Sequence, residues 1–266
     1  MTLQNKTVYK VLITTSGTGS RLGDITRYTN KSLVKVGRKP AISYIVESYP
    51  KNTEFVVTVG YFSDQVRDFL TLVYPDRKFQ FVTVDRYEGE GSSLGYSMLR
   101  AASKLKSPFI YHACDTIVLG KKIPQPKKNW IGGFRGQGSS HYASFDVVNG
   151  KVRQMYDKGM MDPDFLHIGL IGIRDHEAFW RSLRALYRKN PNNSALNDVE
   201  AISEMMRQGQ EFSPVSFETW HDIGNVESLN KARAEINDSF RILDKADESI
   251  FIFDRFVVKF FSNEKI

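Results

Sequence analysis

Through its first 115 residues the chain alternates between two textures, and that alternation leaves few folds open to it. YKVLITT (Tyr9 to Thr15), EFVVTVG (Glu54 to Gly60), KFQFVTV (Lys78 to Val84) and PFIYHACD (Pro108 to Asp115) are short runs rich in β-branched and aromatic residues, and they read as strands. Between them, PAISYIVESY (Pro40 to Tyr49), SDQVRDFLTLV (Ser63 to Val73) and SSLGYSMLRAASKL (Ser92 to Leu105) read as helices. Pro40 suits a first helical turn and Ser63 suits an N-cap. Val66, Phe69, Leu70 and Val73 recur at helical spacing. Strand–helix–strand order of this kind predicts a mostly parallel sheet with helices on both faces.

The second half changes texture. YASFDVVNGKVRQMY (Tyr142 to Tyr156) carries Asn149-Gly150 between two extended runs, which is a hairpin signal. FLHIGLIGI (Phe165 to Ile173) reads as a strand, two helices follow, and FSPVSF (Phe212 to Phe217) is a short strand before TWHDIGN. Antiparallel pieces appended to a parallel core predict one mixed α/β domain over residues 1–236. Residues 237–266 form a separate helix/strand extension, whose two strand-like runs suggest a small hairpin.

Composition narrows the function classes. The net charge of +7, from 37 basic and 30 acidic residues, points to anionic ligands. No Lys/Arg run interleaved with aromatics supports nucleic acid, and Arg181, Arg184, Arg188 and Lys189 fall on one helix face as solvated charges. Cys114 is the only cysteine, so no intramolecular disulfide forms. The first apolar run is too short for a signal peptide, and no run approaches the ~20 apolar residues of a membrane helix. A reducing cytoplasm is the expected location.

The first strand runs into SGTGSRLG, Ser16 to Gly23. Leu22 stands where a dinucleotide fingerprint needs a third glycine, and no lysine follows Gly23 as a Walker A loop requires. The remaining choices are a bare strand-exit turn or a loop whose backbone N–H groups wrap a polyphosphate while Arg21 neutralises it. In the second case Gly17 and Gly19 supply close approach and positive φ.

Taken with TNKSLVKVGRKPAISY (Thr29 to Tyr44), the loop resembles the signature of nucleotidyltransferases that activate sugar 1-phosphates. That signature is a strand, A-A-G-x-G-x-R-L, a linker, P-K-P-L-x-x-V-x-x-K-P and a helix. Thr15-Ser16 replace the two alanines, and Asn30 and Ser32 replace the prolines around Lys31. GEGSSLGYSMLRAA (Gly89 to Ala102) is similar to the family's base-reading segment, and HACDTIV (His112 to Val118) to its strand-end aspartate. QMYDKG (Gln154 to Gly159) resembles its Glu-Lys pair, with Asp157 for Glu. TWHDIGNVESLNKA (Thr219 to Ala232) resembles W-x-D-x-G-T-P-E-S-L. The likeness covers about residues 8 to 235; short members of the family include choline-phosphate cytidylyltransferase-like enzymes. Separately, VVKFF near the C-terminus is similar to the lysine-bearing strand of choline- and aminoglycoside-type kinases, which would make the tail the start of a second domain.

The resemblance implies a Rossmann-like α/β/α sandwich with a mostly parallel mixed sheet and a small antiparallel acceptor-binding subregion. It implies transfer of a nucleotidyl group from an NTP to a sugar 1-phosphate, serving surface polysaccharide synthesis. The runner-up acceptor is a small non-sugar phosphate or phosphonate such as phosphocholine, and the reading from another class is a nucleotide-sensing module without turnover. Arg21 and Lys31 would be catalytic, while Ser16, Gly17, Thr18, Gly19, Ser20, Gly91, Ser92 and Ser93 would hold the nucleotide. Asp157 and Lys158 would hold the acceptor, and Asp115 and Asp222 would bind Mg²⁺. His221 reads as an orienting or core histidine and Cys114 as packed. Ser92 and Ser93 suit any base, so the base is left open, as is homo-oligomerisation.

Overall fold

The computed structural model describes residues 9–136, 141–236, 248–252 and 257–261. Its strands are β1 (Lys10–Thr14), β2 (Lys35–Val36), β3 (Lys39–Pro40), β4 (Glu54–Val59), β5 (Lys78–Thr83), β6 (Phe109–Ala113), β7 (Thr116–Leu119), β8 (Trp130–Phe134), β9 (Ser144–Val148), β10 (Lys151–Tyr156), β11 (Phe165–Ile173), β12 (Ser213–Ser216), β13 (Thr219–Asp222), β14 (Glu248–Ile252) and β15 (Val257–Phe261). The helices are α1 (Ala41–Glu47), α2 (Ser63–Val73), α3 (Leu94–Ala101), α4 (His176–Lys189), α5 (Asp198–Arg207) and α6 (Val226–Glu235).

One large sheet runs in the order β10-β9-β11-β6-β1-β4-β5, and β8 joins it by pairing with β11 and β12. Its centre is parallel, with β1 between β4 and β6. The second half adds antiparallel strands, β11 on β6 and the β9–β10 hairpin beyond. This is the expected α/β class. The central strands are buried on both faces, and period-2 alternation divides them between two cores. Leu12 packs with Met98, Tyr111 and Phe179 on the side of α3, α4 and α5. Val11 and Ile13 pack with Ile42, Val66 and Phe69 on the side of α1 and α2.

Local expectations hold where chemistry is local. Asn149 and Gly150 both take positive φ, 51° and 72°, as a tight hairpin turn of this twist requires. Val66, Phe69, Leu70 and Val73 are the buried stripe of α2, and the basic residues of α4 are exposed. Ser63 is a correction. Phe62, left-handed with φ 50°, occupies the cap position of α2 with no side-chain cap bond, and the Ser63 hydroxyl donates to Asp64 instead.

Strand β8 was not legible. Its Gly132-Gly133 pair lowers strand propensity, yet tertiary packing needs both glycines. A Cβ on Gly133 would lie 2.6 Å from the Phe145 ring. Across the ladder, a Cβ on Gly172 would coincide with the indole of Trp130, which is 1% exposed. Gly172→Ala therefore has to displace that ring, and we expect a loss of about 1–3 kcal/mol in denaturant unfolding. An unchanged midpoint would contradict this packing.

Among the described residues no helix is long and apolar enough to cross a membrane. Strands β14 and β15 pair antiparallel, and Val258 packs against the core on the α1–α2 side. The rest of the extension expected over 237–266, including 237–247, lies outside the described residues.

Candidate active site

A cleft of about 690 Å³ opens at the carboxyl ends of β1 and β6, where open α/β sheets bind ligands. Ser16, Gly17, Thr18, Gly19, Ser20, Arg21, Lys31, Ser92, Ser93, Asp115, Asp157, Lys158 and Asp222 all line it. Gly91 does not. It is buried with φ 76°, and a Cβ there would meet the Arg86 guanidinium at 2.7 Å, so it closes a turn behind the cleft wall.

The loop is pinned at its base and free at its tip. Thr15 donates its amide and hydroxyl to the Thr58 carbonyl, at 3.0 and 2.7 Å. Ser16 Oγ lies 2.9 Å from Ser97 Oγ. Gly19, with φ 69°, is the glycine that needs the left-handed region, and a Cβ there would press on the Lys31 side chain at 2.9 Å. Gly17 does not take positive φ. Nothing lies within 4 Å of where its Cβ would be, which leaves the backbone open to the cleft. The residues after Gly19 form 3-10 turns from Ser20 to Thr26 rather than a featureless loop.

Asn30 and Ser32 do more than replace prolines. Both are fully buried. The Asn30 amide donates to Thr15 O at 2.8 Å and to Tyr61 O at 2.6 Å, while its Oδ1 accepts from the Ser32 amide and hydroxyl. This side chain ties the lysine segment to the Gly-rich loop, so Lys31 and Gly19 are held together.

Lys31 Nζ pairs with Asp115 Oδ2. Burial would drive both groups toward their neutral forms, but the pairing more than reverses it, lowering the Asp115 carboxyl and raising the Lys31 ammonium relative to their ordinary values. Arg21 adds to the lowering of Asp115. Asp115 sits in the turn between β6 and β7, and β13 pairs with β7 so that Asp222 lies opposite Thr116. The Ile223 amide donates to Asp115 O at 3.0 Å, which locks the two segments. Asp222 Oδ1 accepts from the Gly224 amide at 3.0 Å and Oδ2 from the Tyr142 hydroxyl at 3.1 Å. Burial, then the nearby Asp115 charge, pushes the Asp222 carboxyl above its ordinary value. Gly224 marks where these groups converge. A Cβ on it would lie 3.0 Å from Asp222 Oδ1, 3.2 Å from Asp115 Oδ2 and 3.3 Å from Arg21 Nη2.

Among the described residues no group of three or more His, Cys, Asp or Glu is gathered for a metal ion. Two facing carboxylates still fit Mg²⁺, which keeps several waters and takes one or two protein carboxylates plus substrate phosphate oxygens. Burial and then the Asp115 charge raise the Asp222 carboxyl, and a cation between them would offset that charge.

Asp157 and Lys158 are exposed at the end of β10, across the cleft from the loop. His221 is buried and faces Glu235 at 3.1 Å, away from the cleft. Burial pushes the Cys114 thiol up to about 12, which fits a packed, unreactive cysteine. Trp220, the tryptophan of the W-x-D segment, also lines the cleft, packed edge to face at 5.1 Å against Tyr142, whose hydroxyl reaches Asp222 across 80 residues of chain, a contact not written in spacing. Tyr111 on β6, His167 on β11 and Asp198 on α5 also line the cleft, and no local motif marks them because their meeting depends on tertiary packing.

This is the nucleotidyltransferase fold of the sugar-1-phosphate nucleotidylyltransferases. Among solved structures, the chain is similar to a putative glucose-1-phosphate thymidylyltransferase from Bacillus anthracis, with TM-score 0.75, 19% identity and coverage of 90% of this chain and 98% of that one. It is also similar to CTP:phosphocholine cytidylyltransferase from Streptococcus pneumoniae, with TM-score 0.71, 17% identity and coverage of 86% and 99%. In sequence, 125 residues are 27% identical to a probable glucose-1-phosphate cytidylyltransferase of Bacillus subtilis (strain 168), covering 46% of each chain. The matched region is thus less than half of that relative. No protein-family model matches the chain.

Proposed function

We propose that the protein is a Mg²⁺-dependent nucleotidyltransferase joining an NTP to a sugar 1-phosphate, with release of pyrophosphate. One observation carries this reading: Arg21, Asp115 and Asp222 converge at Gly224 while Lys31 pairs with Asp115, all beside a Gly-rich loop with open backbone. An acceptor phosphate attacking an α-phosphorus crowds several negative charges together, so catalysis is positioning and neutralisation. Amides from Ser16 to Ser20, with Arg21, face the β- and γ-phosphates and stabilise the departing pyrophosphate. Lys31 leaves its carboxylate partner for the α-phosphate and the attacking oxygen. Asp115 and Asp222 would hold Mg²⁺, which supplies charge neutralisation between the α-phosphate and the acceptor phosphate. Ser92 and Ser93 border the base, and Lys158 with Asp157 holds the acceptor from the far wall. A phosphocholine acceptor is the second reading, supported by the aromatic faces of Tyr142 and Trp220 in the same cleft.

The intact lysine–aspartate pair argues against a sensor that binds NTP without turnover. A role in surface polysaccharide synthesis follows from the resemblance alone, and a cytoplasmic location rests on the single-cysteine composition. The kinase-like reading of VVKFF rests likewise on its resemblance, while the β14–β15 pairing supports the small hairpin.

The test is a pyrophosphate-release screen of the common NTPs against sugar 1-phosphates and small alcohol phosphates with Mg²⁺. Silence across every pair would sink the enzyme reading. A pH profile tests the cation site. Asp222 must be ionised to share a cation, and its carboxyl titrates above the ordinary aspartate value of about 4. As pH falls, kcat/KM at low Mg²⁺ should therefore drop above that value. About tenfold more Mg²⁺ should move the limb down, because cation and proton compete. A limb indifferent to Mg²⁺ contradicts Asp222 as a ligand.

A further inference from the structure

We propose that the end of the sheet opposite the cleft is a docking face for an anionic lipid bilayer, built from a row of basic side chains beside an exposed leucine. The inference stands apart from the nucleotidyl-transfer reading, since none of its residues lines the cleft.

Strand register brings the row together. Lys78, Glu54, Lys10 and Phe109 are successive partners across β5, β4, β1 and β6. Ile173 pairs with Phe109, and Gly172 with Trp130, which carries the row through β11 to the start of β8. The parallel strands β5, β4, β1 and β6 all begin here, and the cleft opens at the other end of β1 and β6. Five strand spacings of about 4.8 Å make the row roughly 24 Å long.

The segments flanking this row carry the charge. Lys51 precedes β4, Lys78 opens β5, Lys106 precedes β6, Lys127 and Lys128 precede β8, and Arg174 follows β11. All are exposed, and among the described residues none of these side chains has an ion-pair partner. Most acids nearby are engaged. Glu54 pairs with Lys10 at 2.9 Å, Glu211 pairs with Lys151 at 2.5 Å, and Asp175 accepts from the Asn129 amide group at 2.7 Å. Among the described residues of these segments, Asp76 and Glu177 are the exposed acids left without an ion pair. The face is therefore strongly positive, in a chain whose 37 basic residues only modestly outnumber its 30 acidic ones.

An apolar group sits with the cations. Helix α2 runs from the cleft end of β4 back to the start of β5, so its last turn lies toward this face. Leu72 in that turn is 68% exposed, while Val66, Phe69, Leu70 and Val73 of the same helix are buried. The Arg77 guanidinium donates to the Tyr49 and Pro50 carbonyls, at 3.1 and 2.5 Å, which ties the turn after α2 to the loop bearing Lys51.

That combination selects the partner. Lysine is a compact, hydrated point charge that suits a diffuse anionic surface, whereas bidentate phosphate recognition calls for arginine. A nucleic acid would also want exposed rings to stack its bases, and Tyr49 and Trp130 on this face are buried. A leucine beside lysines does nothing for a polyanion in water. In the headgroup boundary of a bilayer, its apolar contact adds to the charge attraction. The face lies roughly 15 Å along the strands from the cleft, so a docked molecule keeps the cleft open to water.

The test is co-sedimentation of the full chain with phosphatidylcholine vesicles, plain or carrying about 30% phosphatidylglycerol. We expect binding to the anionic vesicles at low salt, none to the neutral ones, and loss at about 0.5 M NaCl, where screening acts within a few ångströms. Lysines near such a surface contribute about fivefold each, so the triple variant Lys106→Gln, Lys127→Gln, Lys128→Gln should weaken binding by about 100-fold. Leu72→Ala should weaken it by about fivefold. The control is Arg184→Gln, Arg188→Gln, Lys189→Gln, which removes the same charge from exposed positions at the far end of α4 and should cost less than about threefold. Equal loss from the two triple variants would mean that net charge alone attracts the lipid, which overturns the proposal. Absence of binding to anionic vesicles at low salt overturns it too. Binding of single-stranded RNA that the lysine variant abolishes, with vesicles left unbound, assigns the face to nucleic acid and overturns it as well. Should the lysine variant not fold, the lipid and salt series on wild type together with Leu72→Ala decide. Failure to dock leaves nucleotidyl transfer standing, and silence in the pyrophosphate screen leaves docking standing.

Discussion

Asp115→Asn should lower kcat/KM by roughly 10³-fold while leaving the fold intact. Asparagine keeps the shape and an oxygen for the Lys31 ammonium, so the β6–β7 turn and its bond from the Ile223 amide survive. What is lost is charge. Lys31 no longer has the carboxylate that raises its pKa, and the proposed cation keeps one protein carboxylate of two. Asp222 loses the neighbour that helps push its carboxyl up, so its titration should move back toward the ordinary range. The checks are single-turnover kinetics, thermal unfolding and a direct Mg²⁺ titration against wild type. Near wild-type turnover with normal folding would remove Asp115 from the mechanism.

Gly224→Ala carries the second-largest expected effect, and it acts by shape alone. The φ of Gly224 lies outside the left-handed range, so the methyl group brings no backbone strain. The methyl would instead arrive 3.0 Å from Asp222 Oδ1, 3.2 Å from Asp115 Oδ2 and 3.3 Å from Arg21 Nη2. Three polar groups proposed to reach phosphate or cation then have to part around an apolar one. We expect about a 10²-fold loss of kcat/KM, since a displacement of ~1 Å at a positioned site costs that much. The apparent Mg²⁺ requirement should rise and the unfolding midpoint should barely change. Full activity in this variant would show that the convergence at Gly224 is not where the chemistry occurs.

Much of this site could be read in one dimension, because its parts are local. The Gly-rich loop, Lys31 ten residues on and the strand-end Asp115 each sit in a contiguous segment whose spacing carries the signal. The glycine roles could not be separated that way. Gly19 needs its positive φ, Gly17 leaves its backbone open, and Gly91 closes a turn outside the cleft, although all three look alike in sequence. Ser63 likewise looked like a cap, but the chain enters α2 through a left-handed Phe62.

The amino-acid sequence by itself determined the alternation that makes a parallel-centred α/β sheet and the hairpin at Asn149-Gly150, because periodicity and turn chemistry act over a few neighbours; its motifs singled out the candidate charged residues. Only the tertiary structure decided which of those charges meet. The β13–β7 pairing sets Asp222 beside Asp115 across more than 100 residues, the Asn30 hub holds Lys31 to the loop, and the helix start at Asp198 meets His167 in the cleft lining. Such contacts depend on strand register and packing between distant segments, and a burial pattern repeats along every strand without naming its partner.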